Sequence, residues 1–166
     1  MDFFKAVDER FSFRGNYTDA IVPDEDLIKI VDAGLKAPSG GNKQTTHFII
    51  VTNPEIRAEL AKILVCDAVS SAPAIIVGMS ERGGFCEVED YSAAVENILL
   101  ASVALGYASC WFDGTTRMDG RDAAMAKLLG VPDERRVRTI IPVGVPQAFG
   151  KPAPKKPFDE RVQWRR

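Results

Sequence analysis

The chain contains few residues of the types that metal and disulfide sites need. Its 166 residues include one histidine, His47, and three widely spaced cysteines, Cys66, Cys86 and Cys110. A single histidine excludes a multi-histidine metal site, and a Ser-His-Asp triad would depend on His47 alone. Without a CxxC pair, three cysteines fit no disulfide framework. We therefore predict no metal site, reduced and mostly buried thiols, and a structural hydrogen bond for His47 at a strand edge.

Strong charge of either sign and long apolar runs are also missing. The formal net charge is -2, so the chain has no basic field that would favour nucleic acid or an anionic membrane as a partner. No apolar run approaches the roughly 20 residues that a membrane helix needs, and the N-terminus lacks the layout of a secretion signal. Neither a Walker lysine motif nor a GxGxxG after a strand is present. We expect a soluble, cytoplasmic protein.

The hydrophobic pattern that is present alternates between helical and strand periods, which indicates an α+β chain forming one domain over 1–166. Helical spacing predicts five helices, over 3–11, 23–37, 54–65, 87–105 and 119–130. Short β-branched and aromatic runs predict four strands, over 47–52, 73–79, 107–112 and 136–145. The helix over 87–105 is apolar around much of its circumference and should be central and buried, with Gly106 as its cap.

The last segment, 146–166, has a different character from the rest. It contains four prolines and no helical period, yet it carries Val162 and Trp164 near its end. Such a segment cannot easily complete the core of its own domain. We interpret it as an extended, basic arm that lies over another surface, for which a second subunit is the candidate.

Three polar residues near the N-terminus could form an anion site. Arg10, Ser12 and Arg14 alternate in "ERFSFRGN", so an extended backbone would direct all three side chains to one side. Two guanidiniums and a hydroxyl could then converge on one small anion. The alternative is a set of solvated surface arginines, just as Lys155 and Lys156 could simply decorate an exposed tail.

Two junctions are also candidates for ligand contact. In "WFDGTT", Asp113 and Gly114 follow a strand, either as a tight turn or as a close backbone approach to a flat ligand. The other junction, "LKAPSGGNKQTTHFIIV", uses far more turn and amide residues than the one or two that a plain connection needs. These are Pro38, Ser39, Gly40, Gly41, Asn42 and Gln44.

Together these segments resemble, in the same order along almost the whole chain, the FMN-dependent nitroreductase family. The resemblance implies a mixed central sheet flanked by helices, and an RxSxR-like segment that grips the flavin phosphate and ribityl chain with Arg10, Ser12 and Arg14. It further implies that Lys155 or Lys156, after the "VGVP" signature, completes the phosphate site.

The same resemblance implies roles for the two junctions. The family's "PSSxNxQPW" pattern carries over onto Pro38, Ser39, Gly40, Asn42 and Gln44, which would approach a flavin held mainly by the partner of a homodimer. The acidic-Gly pair, here Asp113 and Gly114, would place a backbone N–H near the reactive nitrogen of the flavin's central ring. Three departures bear on substrate range: Gly40 replaces the second serine, Thr45 and Thr46 replace the usual Pro-Trp, and the chain is short for the family.

The leading hypothesis is an FMN-dependent oxidoreductase with ping-pong hydride transfer. NADH or NADPH would reduce the flavin and leave, and a small acceptor such as a nitroaromatic or quinone would follow. The flavin carries the chemistry, so no side chain is assigned as a catalytic acid or base. One alternative is a flavin-binding sensor or carrier without turnover. Another is an enzyme with a Cys110 nucleophile, which lacks an indicated basic partner.

Overall fold

The computed structural model describes residues 1–148 and 150–166, which form an α+β fold. Its helices are α1 (Phe3–Glu9), α2 (Asp24–Leu35), α3 (Pro54–Leu64), α4 (Asp67–Ser71), α5 (Glu87–Ala104) and α6 (Arg121–Leu129). Its strands are β1 (Thr46–Val51), β2 (Ala74–Glu81), β3 (Ala108–Ser109) and β4 (Arg135–Gly144). Short 3-10 turns cover Gly40–Asn42, Gly114–Arg117 and Phe158–Glu160. The α+β class, the four strands and the five predicted helices are confirmed, and α4 was not predicted.

The four strands form one sheet in the order β1-β2-β4-β3. All three ladders between these strands are antiparallel. Within the described residues, parallel pairing occurs at a bridge between Ser12 and Ser109, so the mixed character expected of the sheet is confined to this bridge. The bridge matters for the site because it fixes the segment after α1 alongside β3.

The two central strands are buried on both faces, which is why they have long apolar runs in the sequence. Ile75, Val77 and Ile140 face a core that includes residues of α3 and α6. Ile76 and Ile141 lie in a second core with residues of α2 and α5. The sheet is therefore the middle layer between two layers of helices, and α5 is largely buried as predicted.

The third strand is shorter than the sequence predicts. It has two residues, Ala108 and Ser109, instead of a run over 107–112. Phe112 nevertheless pairs with Ile140 through two backbone hydrogen bonds of 3.0 Å, so the chain rejoins β4 before it turns. Gly106 ends α5 with a φ of 87°, a left-handed conformation that suits glycine.

The predicted arm, 146–166, begins against its own domain, since Pro146 is buried and bridges Tyr17. From residue 150 to 166 the arm is exposed along its whole length. Phe158 and Trp164 keep 59% and 68% of their surface accessible. In a single chain, no surface of the described residues covers these two side chains. Within the described residues, no helix is both long and apolar enough to cross a bilayer.

Candidate functional site

The segment after α1 is extended and runs beside β3. The Phe13 N–H donates to the Ser109 carbonyl at 3.0 Å, next to the bridge formed by Ser12. Phe13 is buried in the core, so the alternation of an extended chain directs Arg10, Ser12 and Arg14 to the opposite side. Arg10 is half-buried and Arg14 is exposed.

These three polar residues belong to the segment that runs beside the end of β3, next to Cys110. Burial raises the pKa of the Cys110 thiol, whereas the charge of Arg14, a hydrogen bond with Ser12 and the charge of Arg10 act to lower it. The geometry that places this segment is the bridge between Ser12 and Ser109, which brings it alongside the residue that precedes Cys110. The chemistry of these three side chains is that of an anion site.

The environment of Cys110 differs from the sequence prediction in one respect. The sequence indicated no basic partner, but Arg10 and Arg14 both lie near the thiol. Burial still outweighs their effect, since only 1% of Cys110 is exposed and the pKa is raised overall. A protonated, inaccessible thiol does not suit a nucleophile.

The junction between α2 and β1 is held in shape by α5. The Gly40 N–H donates to Asp90 Oδ1 at 2.8 Å, and the Thr45 hydroxyl donates to Asp90 Oδ2 at 2.9 Å. Ser39 Oγ accepts from the Gln44 N–H at 2.9 Å. A buried aspartate therefore fixes both ends of the loop, while Pro38 and other loop residues stay accessible.

Two of the loop's unusual residues have local structural reasons. Gly41 and Asn42 have φ values of 59° and 55°, a conformation that glycine and asparagine adopt most readily. Gly40 packs so closely on α5 that a Cβ atom there would lie 2.5 Å from Cys86 Sγ. Part of this composition therefore serves the loop itself.

The turn at Asp113 and Gly114 begins directly after Phe112, the residue that pairs with Ile140 of β4. Asp113 Oδ2 accepts a hydrogen bond from the Tyr91 hydroxyl at 3.0 Å, and Oδ1 lies 2.9 Å from Arg117 Nε. Gly114 is exposed, and a Cβ atom there would meet no described atom within 4 Å. The carboxylate is thus held in place, while the adjacent glycine faces open space.

A buried ionic cluster near this turn was not predicted from the sequence. Glu87, at the start of α5, accepts a hydrogen bond from Ser80 at 2.6 Å and pairs with Arg138 of β4. Arg138 Nε also donates to Ser80 Oγ at 2.9 Å, and Arg136 Nε lies 3.3 Å from Glu87. The available signal was the pair of arginines at alternate positions of an otherwise apolar strand, since a buried charge needs a partner.

Two predicted site residues lie on the exposed part of the arm. Lys155 and Lys156 are exposed on the arm, and neither forms a hydrogen bond or ion pair within residues 1–148 and 150–166. A single chain therefore does not join them to Arg10 or Arg14. The prediction for His47 is confirmed, since its Nε2 lies 3.2 Å from Glu81 Oε1 on the neighbouring strand.

Comparison with known proteins decides the family. The model of the nitroreductase family matches residues 7–79 and 66–145. The chain belongs to the nitroreductase family. Over 137 residues it is 35% identical to an Archaeoglobus fulgidus protein named as a candidate NADH dehydrogenase/NAD(P)H nitroreductase, covering 79% of this chain and 78% of that protein.

Solved structures of other nitroreductases confirm the fold. A Parabacteroides distasonis protein, named in the same way, superposes with a TM-score of 0.89 at 27% identity, covering 98% of this chain and 96% of the other. An FMN-dependent nitroreductase from Clostridium difficile superposes with a TM-score of 0.88 at 28% identity, covering 98% and 99%. The family and fold expected from the sequence are thus confirmed.

Proposed function

We propose that this protein is an FMN-dependent NAD(P)H oxidoreductase that reduces small acceptors, such as nitroaromatics or quinones, by a ping-pong reaction. The observation that carries the proposal is the extended segment with Arg10, Ser12 and Arg14, which is fixed alongside the end of β3 with the alternate residue Phe13 buried. It occurs in a chain of net charge -2, so this positive site is local. The likeness to an FMN-dependent nitroreductase supports the same cofactor.

The donor set fits a phosphate group. Arg14 is exposed and can turn toward a ligand. Arg10 Nε lies 3.2 Å from Glu96, and the two side chains are 21% and 45% exposed, so this pair remains within reach of a ligand from solvent. A phosphate can therefore compete for Arg10, and bidentate guanidinium contacts would hold it firmly. Ser12 adds a hydroxyl donor at the same place.

The turn at Asp113 and Gly114 suits the flat ring system. Its open side at Gly114 allows the backbone to approach a ligand closely, and the N–H is the donor that we assign to the ring. When bound, FMN would supply the redox chemistry by taking a hydride from the nicotinamide and passing it to the acceptor. The chain itself binds and orients the reactants, and no side chain is assigned as a general acid or base.

The exposed arm supports a homodimer. Phe158 and Trp164 lack a covering surface in one chain, as do Phe3 and Phe4 of α1. A second copy could cover these groups, and stable interfaces of this type bury roughly 2,000 Å² or more. In the proposed dimer the loop of Gly40–Asn42, with Pro38 and Ser39, reaches the flavin of the partner, and Lys155 or Lys156 completes a phosphate site.

The decisive experiment is the visible spectrum of the purified protein under anaerobic conditions. We expect bound flavin that loses its absorbance when NADH or NADPH is added and regains it when a nitroaromatic or quinone follows. Bound flavin that neither nicotinamide reduces would favour the sensor or carrier. A protein that takes up no FMN would overturn the proposal.

A further inference from the structure

The Asp113 carboxylate is held from two sides. Tyr91 donates its hydroxyl to Oδ2 at 3.0 Å, and Arg117 Nε lies 2.9 Å from Oδ1. Oδ2 thus accepts a hydrogen bond, whereas Oδ1, which is buried and accepts none, is held by its ion pair with Arg117. The next residue, Gly114, is exposed, and we call its exposed side the open face of the turn. The direction of the Asp113 side chain therefore decides whether a negative charge lies near this face.

Tyr91 is the more firmly fixed of the two donors. Only 3% of it is exposed, and its ring packs edge-on against Trp111 with centroids 6.3 Å apart. The Arg138 guanidinium lies over the same ring, 5.4 Å from its centre. Burial raises the pKa of Tyr91, and the hydrogen bond with Asp113 raises it further, so the hydroxyl remains a donor at neutral pH.

The backbone of the turn is fixed by separate contacts. The Thr116 hydroxyl lies 2.5 Å from the Asp113 carbonyl and 2.7 Å from the Arg138 carbonyl. The Thr139 hydroxyl donates to the Phe112 carbonyl at 3.0 Å. The tyrosine is therefore not needed to form the turn, and its contact with Asp113 acts on the direction of the carboxylate.

We propose that Tyr91 is a positioning residue that holds the Asp113 carboxylate away from the open face at Gly114, so that an N–H donor and not a negative charge faces the flavin. The inference rests on the proposed function, because it concerns the face to which that function assigns the ring. It adds a residue from α5 that the sequence did not indicate. Tyr91 acts through Asp113 and is not assigned any contact with the ligand.

The test compares Tyr91→Phe with Tyr107→Phe in FMN-loaded protein. Tyr107 is a matched control, since its hydroxyl also donates to a carboxylate, Asp26 Oδ2 at 2.7 Å, on a different helix. The primary measurement is the two-electron midpoint potential of the bound flavin. The affinity for FMN and the separate kcat and KM for NAD(P)H are measured alongside it.

We expect Tyr91→Phe to bind oxidised FMN about as well as wild type but to have a lower potential. Without the Tyr91 hydroxyl, the Asp113 carboxylate would bring its negative charge nearer the flavin ring and so disfavour reduction of the ring. Loss of one hydrogen bond to a charged group changes an equilibrium constant by roughly tenfold. The equilibrium here is the ratio of the protein's affinities for reduced and oxidised FMN, and a tenfold change in it shifts the potential of a two-electron couple by ~30 mV. kcat should fall with little change in KM, and Tyr107→Phe should match wild type.

Two further variants separate positioning from a general loss of structure. Adding Asp113→Asn to Tyr91→Phe removes the released charge, so the potential should return toward the wild-type value. Arg117→Lys keeps the positive charge but removes the planar guanidinium that faces Oδ1, so a loosened carboxylate should lower the potential in the same direction, even if Tyr91→Phe does not fold.

The outcomes distinguish this inference from the proposed function. Wild-type protein that binds no FMN would overturn both. Wild-type protein that binds FMN, with an unchanged potential in both Tyr91→Phe and Arg117→Lys, would overturn the positioning role alone. A lowered potential that Asp113→Asn does not restore would also overturn it, since the released charge would then not be the cause.

Discussion

Replacing Glu87 with alanine would leave the Arg138 guanidinium buried without its counter-ion. The side chains of Glu87 and Arg138 are only 12% and 10% exposed, so water can replace little of the lost interaction. The Ser80 hydroxyl would lose its acceptor in the same change. The structure therefore predicts that this is one of the most destabilising single substitutions at a charged residue of the chain.

The expected size follows from measured behaviour of buried ion pairs. Removing one partner of such a pair costs about 3 to 5 kcal/mol, because an unpaired charge remains in the interior. Strand β4 has no acidic residue that could replace Glu87 as the partner of Arg138. Arg136, which also lies beside Glu87, would leave a second positive charge there. For a chain of this size, a loss of 3 kcal/mol would lower the melting temperature by roughly 6 to 12 °C.

The assay is denaturant unfolding of wild type and Glu87→Ala at one saturating FMN concentration, because a ligand of the folded state adds to apparent stability. Glu59→Ala is the matched control. Glu59 also pairs with a basic residue, Lys62, but their side chains are 51% and 70% exposed. Exposed pairs contribute only about 0 to 1 kcal/mol. Equal losses for the two variants would refute the reasoning.

The same comparison has a pH dependence with a definite sign. Burial raises the pKa of Glu87, but the Ser80 hydrogen bond and the charge of Arg138 outweigh it and hold the pKa below the ordinary value of 4.5. The stabilisation is therefore complete above pH 4.5 and is lost as the pH falls through the lower folded-state pKa. The gap between wild type and Glu87→Ala should narrow in acid.

Three further predictions concern the cofactor, the arm and the junction. Arg14→Ala should weaken FMN binding by about one to two orders of magnitude but leave riboflavin binding nearly unchanged, as measured by flavin fluorescence titration. Ending the chain after Gly150 should abolish dimerisation and FMN binding together, as measured by sedimentation velocity and flavin content, because Lys155, Lys156 and Trp164 are removed. Gly40→Ala should cost about 1 to 3 kcal/mol in thermal unfolding, since its Cβ would lie 2.5 Å from Cys86 Sγ.

Each of these changes has a contradicting outcome. Equal loss of FMN and riboflavin affinity would remove Arg14 from the phosphate site. A truncated protein that still dimerises with a full complement of flavin would place the interface elsewhere. Gly84→Ala is the control for the junction, because its Cβ would meet nothing closer than 3.8 Å. If Gly40→Ala is no worse than Gly84→Ala, the close packing on Cys86 is not important for stability.

Local patterns in the sequence predicted the features whose cause is local. The helical period over 87–105 and the cap at Gly106 each depend on residues close along the chain. The same holds for Arg10 and Arg14, because two-residue alternation is a property of any extended segment. Helix α4 escaped prediction because its five residues are too few to show a period.

Contacts between distant segments were not predictable in this way. The arginines of β4 resemble the polar side of an edge strand, but β4 is central in the sheet. Their partner, Glu87, is on another element, and nothing in the spacing of either segment identifies the other. The contact of Tyr91 with Asp113 is of the same kind, since it joins residues that are 22 positions apart.

The first turn of α5 concentrates three unrelated attachments within five residues. Glu87 pairs with Arg138 of β4, and Asp90 accepts a hydrogen bond from Gly40 in the loop between α2 and β1. Tyr91 donates a hydrogen bond to the carboxylate of Asp113. Val88, within this same turn, is exposed and makes none of these contacts. Substitutions should therefore be tolerated very unevenly among these five residues. A lineage that adapts to a new acceptor could vary Val88 freely, but a change at any of the other three positions would require compensation in a distant segment.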